Sequence, residues 1–215
     1  MEPEPNLEDL KKIRSLMERS SMYRSLSGLS GVAAGVIGLI VYAIVYGIVD
    51  PMVEKRPEMK STDEGQLYLI KIFFTASVIC LILVFAAIFY FNRRKAKRHE
   101  LPFFEPAMQK MFLNLFIPLI AGGVYCLMLI HEKQFLLIAP SMLIFYGLGM
   151  INASRHTIIE IRYLGLVELI LGLIAIFMKE YGMWFWLAGF GIVNLIYGAY
   201  IYLRYEKSSH DSQFT

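Results

Sequence analysis

The sequence predicts an all-α, polytopic membrane protein of six transmembrane helices, paired as three helical hairpins. Three observations carry that expectation. Hydrophobic residues make up 57% of the 215 residues and charged residues 18%, against roughly 45–50% and about 25% in soluble domains. The apolar residues fall in six long blocks rather than in amphipathic stripes, each near the length of about 20 residues that a helix needs to cross a bilayer. The charges between the blocks are also asymmetric. Fifteen of the 21 Lys and Arg lie in segments 1–25, 92–110, 152–162 and 204–215, and five lie in the opposite connections. That excess predicts both termini on the cytoplasmic side.

Residues 1–25 are expected to hold a cytoplasmic amphipathic helix. Leu7, Leu10, Ile13 and Met17 recur every three or four residues, as one face of a helix requires. Asn6 suits its N-cap, and Glu8 and Asp9 suit the positive end of its dipole. Basic residues beside the stripe fit either a helix lying on the membrane surface or a solvated lead-in packed on the protein. The first apolar block begins near Leu26 and is too long for a signal-peptide core, so no cleavable signal is expected.

The first span is expected over 26–49. Gly28, Gly31, Gly35 and Gly38 share a face and include a GxxxG pair. Such a face lets another backbone approach, here within the chain rather than between copies. Asp50-Pro51 is expected to end the helix, and residues 50–66 to form the longest outer loop. The second span is placed at 67–91, with Lys71 reaching back to the interface. Arg93, Arg94, Lys95, Lys97 and Arg98 then read as a cytoplasmic loop touching anionic lipid headgroups. They do not point to nucleic acid. Glu105 and Pro106 cap and open the third span, 111–130, and Pro118 is expected to loosen or kink it.

A short HEKQ link leads into the fourth span, 135–151, which Pro140-Ser141 is expected to interrupt. The fifth span is 159–178 and the sixth 183–203, with Trp184 and Trp186 at its start, where aromatic rings favour the interface. Residues 204–215 read as a polar cytoplasmic tail. The region 26–203 is thus one transmembrane domain. Cys80 and Cys126 both lie inside apolar blocks, so they read as core residues without a metal-ligand spacing or a disulfide framework.

Spans three–four and five–six look like copies of one hairpin. Leu119-Ile120 and Gly122 recur as Leu169-Ile170 and Gly172, and Tyr146-Gly147 recurs as Tyr197-Gly198. Spans one–two read as a more diverged third copy. The stretches LPFFEPAMQKMFLNLFIPLIAGG, LIFYGLGMINAS and IRYLGLVELILGLI also carry a resemblance. Over most of its length the chain resembles a group of small uncharacterised six-span bacterial membrane proteins with no assigned activity. That resemblance implies a bacterial inner-membrane setting and adds no chemistry.

Glu168 is the residue around which function must be argued. It lies halfway along the fifth block, near the membrane midplane, where a charge costs a few kcal/mol or more and usually faces protein or water. Gly165, Glu168, Gly172 and Ala175 share a helical face, as do Gly191, Asn194 and Gly198 on the sixth span. Glu168 and Asn194 are therefore expected to hydrogen-bond, directly or through water. Tyr146, Tyr197, Asn114 and Ser141 are candidates to line the same cavity. Glu160 and His156, four residues apart, are a candidate pair.

Two readings of Glu168 follow. In one it is a neutral hydrogen-bonding acid that fixes helix register. In the other it titrates, and serves proton or cation movement or binds an amine. The first suits a non-catalytic membrane scaffold or regulatory component, and the second a small transporter or channel. An intramembrane enzyme is disfavoured: the chain has no HExxH, no paired membrane aspartates and no Ser/His or Cys/His set. No cofactor or metal is implied. The expected partners are the bilayer, anionic lipid at the cytoplasmic face, and another protein or a second copy of the chain.

Overall fold

The computed structural model describes residues 28–98 and 106–207. The expected amphipathic helix before Gly28, the Glu105 cap and the tail beyond Lys207 lie outside the described residues. Among the described residues every regular element is helical. Helix α1 is Gly28–Lys55, α2 Asp63–Arg98, α3 Pro106–His131, α4 Ile138–Ala153 and α5 Glu160–Phe177. The last helix, α6, is built from four consecutive segments: Gly182–Trp186, Leu187–Val193, Asn194–Ile201 and Tyr202–Lys207. The second and fourth of these are wound as π-helix.

Five helical stretches are long and apolar enough to cross a membrane: Gly28–Lys55, Asp63–Phe91, Gln109–His131, Phe135–His156 and Lys179–Arg204. Helix α5 differs in carrying Glu160, Arg162 and Glu168 within its 18 residues. At 1.5 Å per residue it measures about 27 Å, close to the hydrocarbon thickness of a bilayer.

Proline acts differently from its sequence expectation in two places, at 51 and 140. Helix α1 runs through Asp50-Pro51 to Lys55. Pro51 forgoes only the bond to the carbonyl of Gly47, which has open space around it and lies near a helix end, where water can replace the bond. Pro118 sits inside an unbroken α3. Pro140 does not interrupt the fourth helical block. A short 3-10 turn, Phe135–Leu137, precedes α4, and Pro140 stands in the first turn of α4, where its missing N–H would have had no partner. Helix α2 also continues through the basic run to Arg98, because Arg, Lys and Ala all favour helix and no Gly or Pro intervenes.

Lipid tails are as apolar as leucine, so helices here associate by close packing rather than by hydrophobic driving force. The most extensive contacts are α1 with α6 and α4 with α5, followed by α3 with α4 and α1 with α2. Glycine makes the closest crossings. A Cβ on Gly147 of α4 would stand 2.6 Å from the Gly165 carbonyl oxygen and 2.6 Å from the Leu169 nitrogen of α5. The α1 stripe faces α6: Gly31 lies against Gly198, Gly35 against Leu195 and Gly38 against Phe190. The GxxxG face is therefore buried within the chain.

Helix α2 has no such face and packs mainly on α1. It reaches α3 through side chains, with Phe85 stacked on Phe116 at 5.0 Å between ring centroids. Phe85 also covers the buried cluster of Met111, Leu115 and Ala153. Cys80 and Cys126 are free and buried.

Candidate functional site

Helices α4, α5 and α6 enclose three polar side chains. Glu168 on α5 is 0% exposed and Asn194 on α6 is 5% exposed. Asn194 Nδ2 donates to Glu168 Oε1 at 3.0 Å and to the Gly189 carbonyl at 3.1 Å. Tyr146 of α4 donates its hydroxyl to Asn194 Oδ1 at 3.0 Å. The Asn194 amide is thereby used fully, with both N–H groups given and its oxygen accepting. One side chain ties three helices together.

Local sequence explains the placement. Gly147, Gly165 and Gly172 bring α4 onto α5 at backbone distance, which leaves room for Glu168 but none for water around it. Gly189 completes the enclosure. A Cβ there would overlap Glu168 Oε2 and the Leu143 side chain. The π-segment places residue 189 five positions before Asn194, so its carbonyl turns back to the Asn194 amide. Such single π turns inside α-helices occur frequently at functional sites.

Glu168 Oε2 has no hydrogen-bond partner, and Glu168 makes no ion pair among the described residues. A carboxylate charge here would stand in low dielectric with one hydrogen bond and no counter-ion, a costly arrangement. Among the described residues no group of His, Cys, Asp and Glu is placed to hold a metal ion.

The other candidates lie elsewhere. The Asn114 carbonyl accepts from Asn152 Nδ2 at 2.9 Å, tying α3 to α4. Ser141 is buried near the start of α4. Tyr197 packs on Ile158, Ile161 and Ile201. Neither these three nor Tyr146 lines the cavity found at the far end of the bundle. Glu160 is paired with Arg204 at 3.4 Å, and Arg204 also donates to the Tyr200 hydroxyl and lies over its ring. Arg93 and Arg94 are exposed at the end of α2; the side chains of Lys95, Lys97 and Arg98 lie outside the described residues. Trp184 is exposed while Trp186 turns into the bundle.

Sequence reasoning missed Gly189 and the π-segment. The sequence did not single them out: Gly182, Ala188, Gly189, Gly191, Asn194, Gly198 and Ala199 are all small or polar, and Gly191, Asn194 and Gly198 fit the ordinary α spacing. Compared with protein-family models, curated proteins and solved structures, the chain matches none.

Proposed function

We propose that the protein is a non-catalytic integral membrane component, a scaffold or regulatory subunit, whose Tyr146–Asn194–Glu168 network fixes helix register. The observation that carries this reading is the closure of Glu168. It has 0% exposure, backbone-close packing of α4 on α5 and Gly189 of α6 against its carboxyl, and it is absent from the lining of the bundle's large cavity. A transport site needs a path for its ion. In this reading α5 is a sixth span, its one deep charge-bearing side chain shielded by α4 and α6. The chain sits with both termini inside, in keeping with the excess of Lys and Arg on that side. The setting is a bacterial inner membrane, in line with the family resemblance.

The π-segment beside Asn194 favours a second reading, a small proton or cation transporter, because such segments are frequent where helices rearrange. One experiment separates the two. Wild type, Glu168→Gln and Glu168→Leu are reconstituted in liposomes, and decay of an imposed pH gradient is followed beside thermal stability in detergent. The scaffold reading expects equal decay for all three, wild-type stability for Gln and a loss for Leu. Faster decay with wild type than with Glu168→Gln overturns it in favour of transport.

A further inference from the structure

The end of the bundle that carries the links after α1, α3 and α5 holds a cavity of about 570 Å³ between the α1–α2 pair and helices α4 and α6. That volume lies within the range of small-molecule sites. Its two ends differ. Gln66, Gln134, Lys179 and Glu180 lie at the mouth, whereas Val45, Ile70, Phe73 and Met142 wall the interior. Along α2 the lining runs from Gln66 to Ser77, a rise of about 16 Å at 1.5 Å per residue. That is about half of the ~30 Å hydrocarbon core, the depth of one leaflet.

The mouth has a defined charge pattern. Lys133 is ion-paired with Asp63 of α2. Lys179 and Glu180 are exposed and make no ion pair among the described residues. They leave one positive and one negative charge side by side. Below them Trp186, 7% exposed, lines the cavity, and its indole N–H has no acceptor. A buried donor without a partner is costly and rare.

We propose that this cavity binds one phospholipid of the adjoining leaflet, with a zwitterionic head that carries a primary amine. Its phosphate meets Lys179 and its ammonium meets Glu180. An ester carbonyl below the phosphate accepts from the Trp186 indole, and an acyl chain runs along the apolar wall toward the midplane. The polarity gradient, the one-leaflet depth and the paired opposite charges all fit this occupant. A singly charged anionic lipid would leave Glu180 opposed.

The test uses Trp184→Phe protein, which leaves Trp186 as the only tryptophan. It is reconstituted in phosphatidylcholine vesicles containing a fixed fraction of lipid with brominated acyl chains, which quench indole fluorescence on contact. The brominated lipid is phosphatidylethanolamine, phosphatidylglycerol or phosphatidylcholine in turn. Phosphatidylethanolamine is expected to bind about two- to fivefold more tightly than phosphatidylglycerol, the factor that one exposed ion pair gives, and more tightly than phosphatidylcholine, whose quaternary ammonium has no N–H to donate to Glu180. Glu180→Gln, at an exposed position, should remove the preference, whereas Lys179→Gln, which loses the partner of a phosphate common to all three, should weaken all three alike. Ala76→Phe, which narrows the cavity, should lower quenching by all three lipids. Equal quenching by the three lipids overturns the proposal, as does stronger quenching by phosphatidylglycerol or an unchanged preference in Glu180→Gln.

Discussion

Asn194→Leu is the substitution that most directly tests the buried network. The leucine removes the hydrogen bonds to Glu168 and Gly189 and the one from Tyr146. Side-chain hydrogen bonds inside membranes average about 0.6 kcal/mol each, so the three together are worth about 2 kcal/mol. The change also leaves the Tyr146 hydroxyl and Glu168 Oε1 buried without partners, each adding a penalty of the order of 1 kcal/mol. The expected loss is about 2–4 kcal/mol, read by titrating purified protein with a denaturing detergent and following helix content. Glu168→Gln keeps an acceptor facing Asn194 and should stay within about 0.5 kcal/mol of wild type. A double-mutant cycle makes the claim specific. Removing both partners leaves fewer orphans than removing one, so Asn194→Leu with Glu168→Leu should lose at least about 1 kcal/mol less than the two single losses added. Additivity within about 0.5 kcal/mol, the behaviour of independent sites, would refute the network as an energetic unit.

Three further outcomes follow from the packing. Gly147→Leu and Gly165→Leu, which drive a side chain into the facing backbone, should prevent recovery of monodisperse folded protein on size exclusion. Gly47→Ala and Gly123→Ala meet nothing within 4 Å and should be neutral or raise stability by up to about 1 kcal/mol through helix propensity. Gly189→Ala should lower the thermal midpoint by overlap with the Glu168 carboxyl. Part of that loss should return in Gly189→Ala with Glu168→Ala, which empties the contested space. Lys133 holds a left-handed backbone (φ 56°), in a turn where Gln134 N–H bonds the Leu129 carbonyl and Lys133 N–H the Ile130 carbonyl. Lys133→Gly should raise stability by about 1 kcal/mol, because that conformation costs other residues about 1–2 kcal/mol and the exposed Asp63 pair contributes little. A lower midpoint for Lys133→Gly would show that the ion pair outweighs the backbone strain.

Much of this fold was legible because a bilayer leaves few choices: twenty apolar residues in a row must be helical to satisfy their own backbone. Glu168 and Asn194 were legible as a facing pair for the same reason, since helical period and small-residue spacing fix which faces meet. What the sequence hid was the length and winding of the helices. Prolines read as breaks at 51 and 140 are absorbed near helix ends, where N–H groups have no partners or water replaces them. The basic run after Phe91 looked like a loop because charge marks the membrane boundary, yet charge does not end a helix. Tyr146 was legible as a neighbour of the Glu168–Asn194 pair, but its bond to Asn194, 48 residues away, was not. Its recurrence as Tyr197 pointed to repetition rather than to a contact.

The distribution of glycine accounts for both the closed site and the open one. Glycines line the crossings of α1 with α6 and of α4 with α5, so those backbones meet and seal the space around Glu168. Gly147 meets α5 at Gly165 and Leu169, and Gly198 meets α1 at Gly31 and Val32. Helix α2 has its only glycine in its first turn, and Phe73 and Phe74 line the cavity beside it. The cavity lies beside the first half of this helix, from Gln66 to Ser77. Tight packing around the acid and loose packing beside α2 are consequences of one pattern. That pattern places the space available to a ligand at the interfacial end of the bundle, away from the one carboxyl group buried in its middle.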